Sequence, residues 1–156
     1  MARANLKISP TIFETFISAQ DLSNSIRSMK IIIEDETLSI GAVINKRGLA
    51  REDFESLKDG VLEERQASLI IFCLDEEKKS ETESLKWLLL AYVPDDCRVR
   101  DKMLYSSSRE DLKRSLGLGY FIAGTKQKCN MNFIIRPYTL IFHLIYRICR
   151  EHNGGY

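Results

Sequence analysis

Two near-continuous apolar runs constrain this chain more than any other feature. Ser68-Leu69-Ile70-Ile71-Phe72-Cys73-Leu74 is the first, and Leu85-Lys86-Trp87-Leu88-Leu89-Leu90-Ala91-Tyr92-Val93 is the second. Each is too short for a membrane-spanning helix, which needs roughly 20 apolar residues. Runs of this length that are apolar on consecutive positions fit strands covered on both faces. The stretch between them, Asp75 to Ser84, is a charged connection that cannot be buried. The rest of the 156-residue chain must therefore supply two apolar layers, one for each face of a sheet. With 44% hydrophobic and 29% charged residues, it has the composition of one soluble globular domain with one core region.

The remaining pattern supplies those layers. Ser9-Pro10 marks a helix start, with serine as cap and proline at the first helical position. Ile12, Phe13, Phe16 and Ile17 then form one apolar face. Met29 to Ile33 reads as a strand rich in β-branched residues. Asp35-Glu36 makes a turn, and Leu38, Ile40, Ala42 and Ile44 alternate as a hairpin partner should. Ala50 to Leu62 reads as a second helix, with Phe54, Leu57 and Val61 inward and Gly60 weakening its end. After Pro94-Asp95-Asp96, where an aspartate is expected to cap, a long helix runs from about Cys97 to Leu116. Gly117 stops it in the left-handed conformation. The expected fold class is α+β, a mixed β-sheet with helices on both faces.

At 100° per residue the long helix has two faces. Leu104, Tyr105, Leu112 and Leu116 form a stripe that can dock on the sheet. Val99, Met103, Ser106, Ser107 and Glu110 lie on the other side, flanked by Arg100, Lys113 and Arg114, with Lys102 at the edge. A methionine and small serines among cations offer an adaptable surface that can pair with carboxylates. A charged helix face is more often simply solvated, and spacing alone favours that plainer reading.

Other chemistries find little support. No C-x-x-C pair or histidine at zinc-ligand spacing accompanies Cys73, Cys97, Cys129 and Cys149, so free thiols in a reducing cytosol are expected. No metal or cofactor is expected. Gly117-Leu118-Gly119 lacks the third glycine of a dinucleotide site. A Ser/His/Asp grouping would have to borrow His143 or His152, so no enzyme is expected. The net charge of +1 and the interleaving of acids with bases argue against nucleic acid as a partner.

Lys86-Trp87-Leu88-Leu89-Leu90-Ala91-Tyr92-Val93-Pro94-Asp95 followed by Val99-Arg100-Asp101-Lys102-Met103-Leu104-Tyr105-Ser106-Ser107-Ser108 resembles the actin-depolymerising-factor homology (ADF/cofilin) family. Within it, the likeness is greatest to the N-terminal domain of the twinfilin branch. Lys30 to Gly41, Asp53 to Leu57 and Leu62 to Gln66 carry that likeness, which covers roughly residues 9–127. The resemblance implies the gelsolin-like mixed sheet, actin binding and often phosphoinositide binding. Carried over by position, Arg100 and Lys102 are the basic actin contacts and Met103 the apolar one. Val99 and Ser107 share the same patch. It implies a monomeric, cytoplasmic protein of the actin cytoskeleton that binds or sequesters actin monomers. The alternative is a phosphoinositide or membrane-surface module using the same cations plus the apolar tail. An N-terminal regulatory serine is not carried over, because Ser9 reads as a cap.

The likeness stops near residue 127. Lys128 to Tyr156 carries four basic residues and one acidic, and it matches nothing in the family. The expected organisation is an ADF-homology domain at 1–127, lacking its usual last elements, and an atypical segment at 128–156. Tyr138, Ile141, Phe142, Ile145 and Cys149 give that segment helical spacing over 138–150. The chain reads as a truncated twinfilin-like domain.

Overall fold

The computed structural model describes residues 6–21, 23–58, 60–63, 65–74, 86–94 and 96–121. The expected charged connection at 75–84, the cap at Asp95, and the atypical segment at 128–156 with its helix at 138–150 lie outside the described residues.

Among the described residues the elements are β1 (Lys7–Ile8), α1 (Pro10–Ala19), β2 (Ile26–Glu34), β3 (Thr37–Asn45), α2 (Ala50–Glu55), β4 (Ser68–Leu74), β5 (Lys86–Tyr92) and α3 (Val99–Leu116). The sheet order is β1-β3-β2-β4-β5. β1 runs parallel to β3 and the other pairs are antiparallel, so the sheet is mixed.

Every residue of β4 is buried, and strand alternation sends neighbours to opposite faces. Leu69, Ile71 and Cys73 join Trp87 and Leu89 of β5 beneath α1 and α3. There they meet Ile12, Phe16, Tyr105, Leu112 and Leu116. Ile70, Phe72 and Leu74 join Leu88, Leu90 and Tyr92 on the opposite face, where Ala50, Phe54 and Leu57 of the α2 region cover them. The α+β fold with helices on both faces is thus what the two apolar runs required.

Local departures have physical causes. Ile17 is 70% exposed rather than inward, because α1 buries the Ile12, Phe16, Ala19 stripe. Ser9 sits at the N-cap, but its side chain makes no capping bond. Its backbone N–H instead donates to the Leu38 carbonyl at 2.9 Å and ties the helix start to β3. The second helix ends at Glu55, not Leu62, and passes into a 3-10 turn at Ser56–Lys58. There the Ser56 hydroxyl donates to the Asp53 carbonyl, a local bond that competes with helical continuation. Gly117 has positive φ as expected, but its ψ of 116° is not that of the left-handed helix. A side chain there would meet the Tyr120 ring at 3.0 Å.

Two bulges shape the hairpin. The register between β2 and β3 shifts between Ile26 and Ser28, and again between Lys30 and Ile31. The first leaves Arg27 as an extra residue on β2. A bulge re-aims a side chain, and Arg27 points into the α2 face. Its Nε donates to Asp53 Oδ2 at 2.8 Å, Nη1 to the Cys73 carbonyl and Nη2 to the Gly48 carbonyl. Its guanidinium lies over the Phe72 ring.

Candidate actin-binding face on the long helix

The helix α3 begins two residues later than expected, at Val99. Its N-cap residue is Arg98, with no side-chain cap, so the expected aspartate cap is not what starts the helix. The acidic residue of its first turn is Asp101, whose charge complements the positive end of the helix dipole. The first helical bond runs from the Lys102 N–H to the Arg98 carbonyl.

Three inward contacts orient the helix. Tyr105, Leu112 and Leu116 are buried in the core, while Leu104 is only half-buried. The Tyr105 hydroxyl accepts the Ile33 N–H of β2 at 2.8 Å. Burial raises the Tyr105 pKa above its ordinary value of 10.0; that bond pulls the other way but does not outweigh it. Arg109 is buried as well, and its Nε donates to the Leu89 carbonyl of β5.

With that side fixed, the opposite side is displayed. Val99 is 72% exposed and Met103 69%. Arg100, Ser106, Ser107 and Glu110 are exposed, and Lys102 is half-exposed at the margin. The expected residues Val99, Arg100, Lys102, Met103 and Ser107 therefore share one side of the helix. The serine pair divides as its angular positions dictate. Ser107 is exposed and Ser108 is buried, though both hydroxyls donate to the Leu104 carbonyl. Exposed valine and methionine side chains beside cations form a surface suited to an apolar partner with acidic edges.

Beside the helix start lies a cleft of about 410 Å³ that the sequence reading did not find. Leu6, Ile33 and Leu104 line it with Glu36, Arg98, Asp101 and the same Arg100. Its one local sequence signal is the Asp35-Glu36 turn, where a two-residue hairpin favours Asn-Gly.

Among the described residues, no three His, Cys, Asp or Glu side chains gather as a metal site would need. Nor is any described helix long and apolar enough to cross a membrane.

Residues 5–128 match the family described as cofilin/tropomyosin-type actin-binding protein. The chain belongs to this family. Twinfilin from Dictyostelium discoideum is 31% identical over 111 residues, which cover 70% of this chain and 32% of that protein. The chain thus spans about a third of the length of that curated relative. The solved structure of Eh twinfilin is 30% identical with a TM-score of 0.65, covering 75% of this chain and 83% of that one. Plasmodium berghei actin depolymerization factor 2 shares the fold at 16% identity and a TM-score of 0.62, covering 75% of this chain and 82% of its own. The cofilin-type assignment and the likeness to twinfilin agree with the five-strand mixed sheet.

Proposed function

We propose that this domain binds actin monomers through the exposed side of α3 and, by occupying them, regulates filament assembly. The observation that carries the reading is the outward side of α3 in a chain of this family. Val99 and Met103 stand unburied between cations, on a helix whose other side is locked to the sheet. Arg100 and Lys102 pair with carboxylates of actin, Met103 and Val99 enter an apolar depression, and Ser107 permits close approach. The action is stoichiometric, with no covalent step, and its place is the cytoplasmic actin cytoskeleton. Residues 1–127 act as the ADF-homology domain, and 128–156 form a separate kind of segment.

Pyrene-actin assembly with purified protein tests this. The chain is expected to slow assembly in proportion to its concentration and to bind monomers one to one. Replacing Arg100 and Lys102 together with alanine is expected to weaken binding at least tenfold, about 1.4 kcal/mol or more, with an unchanged circular dichroism spectrum. A folded wild-type chain without effect on actin would overturn the reading. Undiminished binding by the double variant would overturn the site.

A further inference from the structure

The two described methionines differ in what an oxidant can reach. Met29 is wholly buried, in the core beneath α1 and α3. Met103 is 69% exposed, on the outward side of α3. A helical side chain leans toward the turn before its own, which sets Met103 toward Val99 and Arg100. The turn that follows carries Ser106 and Ser107, both small and exposed. The Met103 thioether is therefore open to solvent, with a guanidinium one turn earlier on the same side. Met1 and Met131 lie outside the described residues.

Hydrogen peroxide oxidises such a sulfur directly. The sulfur lone pair attacks one peroxide oxygen, so an S–O bond forms and the O–O bond breaks. The departing hydroxide takes the proton of the transferred oxygen and leaves as water. Sulfur is oxidised and the peroxide reduced. The product is methionine sulfoxide, which methionine sulfoxide reductases return to the thioether. Oxidation thus puts a strong hydrogen-bond acceptor where there was an apolar group, and adds no net charge.

On the function proposed above, we infer that Met103 is a reversible oxidation site through which peroxide weakens actin binding and leaves the fold intact. The same oxygen weighs differently in the free and the bound domain. In the free domain it is hydrated or accepts from the Arg100 guanidinium, so the fold loses nothing. Against actin it enters an apolar contact, where an unpaired polar group is costly. Arg100, engaged with the sulfoxide, is at the same time withdrawn from the partner's carboxylates. Met29, Cys73 and Cys97 are buried, which leaves Met103 as the open sulfur among the described residues.

The test treats the full chain with hydrogen peroxide, removes it, and adds dithiothreitol to reduce oxidised thiols. Binding to fluorescently labelled actin monomers is then compared with the untreated chain. Binding by the wild type is expected to weaken about tenfold, near the lower end of what an unpaired polar group costs in an apolar contact. The thermal midpoint should not move. Peptide mapping should find the added oxygen on Met103 and not on Met29, and methionine sulfoxide reductase should restore binding. Met103→Leu, measured against its own untreated sample, should show no change on oxidation. Met103→Gln, which fixes a polar group there, should bind as weakly as the oxidised wild type. Oxidation of Met103 that leaves binding unchanged would overturn the oxidation site and leave the helix reading to its Arg100→Ala/Lys102→Ala test. A loss that persists in Met103→Leu, or that the reductase does not reverse, would overturn it too. If the untreated, folded wild-type chain binds no actin, the proposed function fails and the oxidation switch fails with it.

Discussion

Removing the Asp53 carboxylate should cost this domain a large part of its stability. Asp53 is buried, and so is Arg27, whose Nε it binds at 2.8 Å. The same carboxylate oxygen accepts the Arg47 N–H at 3.3 Å. Asp53→Ala would take a 2.8 Å carboxylate partner from a buried guanidinium and an acceptor from a backbone donor. Breaking a buried pair from one side costs about 3–5 kcal/mol, against a total of about 5–15 kcal/mol for a typical domain. Carbonyls of Cys73 and Gly48 still hold Arg27, so the lower half of that range is expected. Asp53→Asn, which keeps the shape and an acceptor, should cost less than Asp53→Ala.

Urea unfolding followed by fluorescence measures this cleanly, because the single tryptophan, Trp87, is fully buried and reports the core. The expected result is a lower midpoint at an unchanged denaturant slope. The double variant Arg27→Met/Asp53→Leu should recover much of the loss, since an apolar pair of similar volume can replace a buried ion pair at little cost. A cost below about 1 kcal/mol for Asp53→Ala, the range of an exposed pair, would show that the bulged arginine is not electrostatically committed to α2.

Three further outcomes are expected. Tyr105→Phe should cost about 1–3 kcal/mol near neutral pH, because it strands the Ile33 N–H. The phenol pKa is raised in the fold, so its contribution is fully present below pH 10 and is lost as pH rises through the folded value; the gap between wild type and Tyr105→Phe in urea midpoints should narrow above pH 10. Ser108→Ala should lower the unfolding midpoint, whereas Ser107→Asp should leave the midpoint unchanged and weaken actin binding in a pull-down. In liposome co-sedimentation, phosphoinositide binding through α3 would be competed by actin and lost in Arg100→Ala/Lys102→Ala; binding that survives those changes but vanishes on deleting 129–156 would instead mark the tail as a membrane-surface element.

The parts of the fold legible from sequence are those where one short segment decides its own burial. β4 and β5 announce themselves as apolar runs because both faces are covered. The inward stripe of α3 follows from the 3.6-residue period. The illegible parts depend on partners far along the chain. No local pattern marks Arg27 as buried; a bulge aims it at Asp53, 26 positions away. Nor does one mark Arg109, whose Nε meets a strand carbonyl. Ser108 follows Ser107 in an apparently uniform polar run, yet one step of 100° carries it into the core. The same division explains the candidate site. Val99, Arg100, Lys102, Met103 and Ser107 come from a single helix and could be read together. The cleft joins Leu6, the hairpin around Glu36 and the start of α3, which no local pattern connects.

A helix that must bind a partner with one side needs its other side held by more than apolar contact, because an apolar stripe fixes depth better than it fixes rotation. Hydrogen bonds are directional, and α3 has them where rotation would show. Near its first third, the Tyr105 hydroxyl is bound to β2. One turn later, Arg109 is bound to β5. Those bonds reach separate strands of the sheet, so rolling the helix would break both, and their loss would be felt as unsatisfied buried groups. Val99 and Met103 can then remain exposed without the helix turning to bury them. The polar residues buried beneath α3 are thus what keeps the apolar residues on its outer side presented, which is the arrangement a preformed protein-binding face requires.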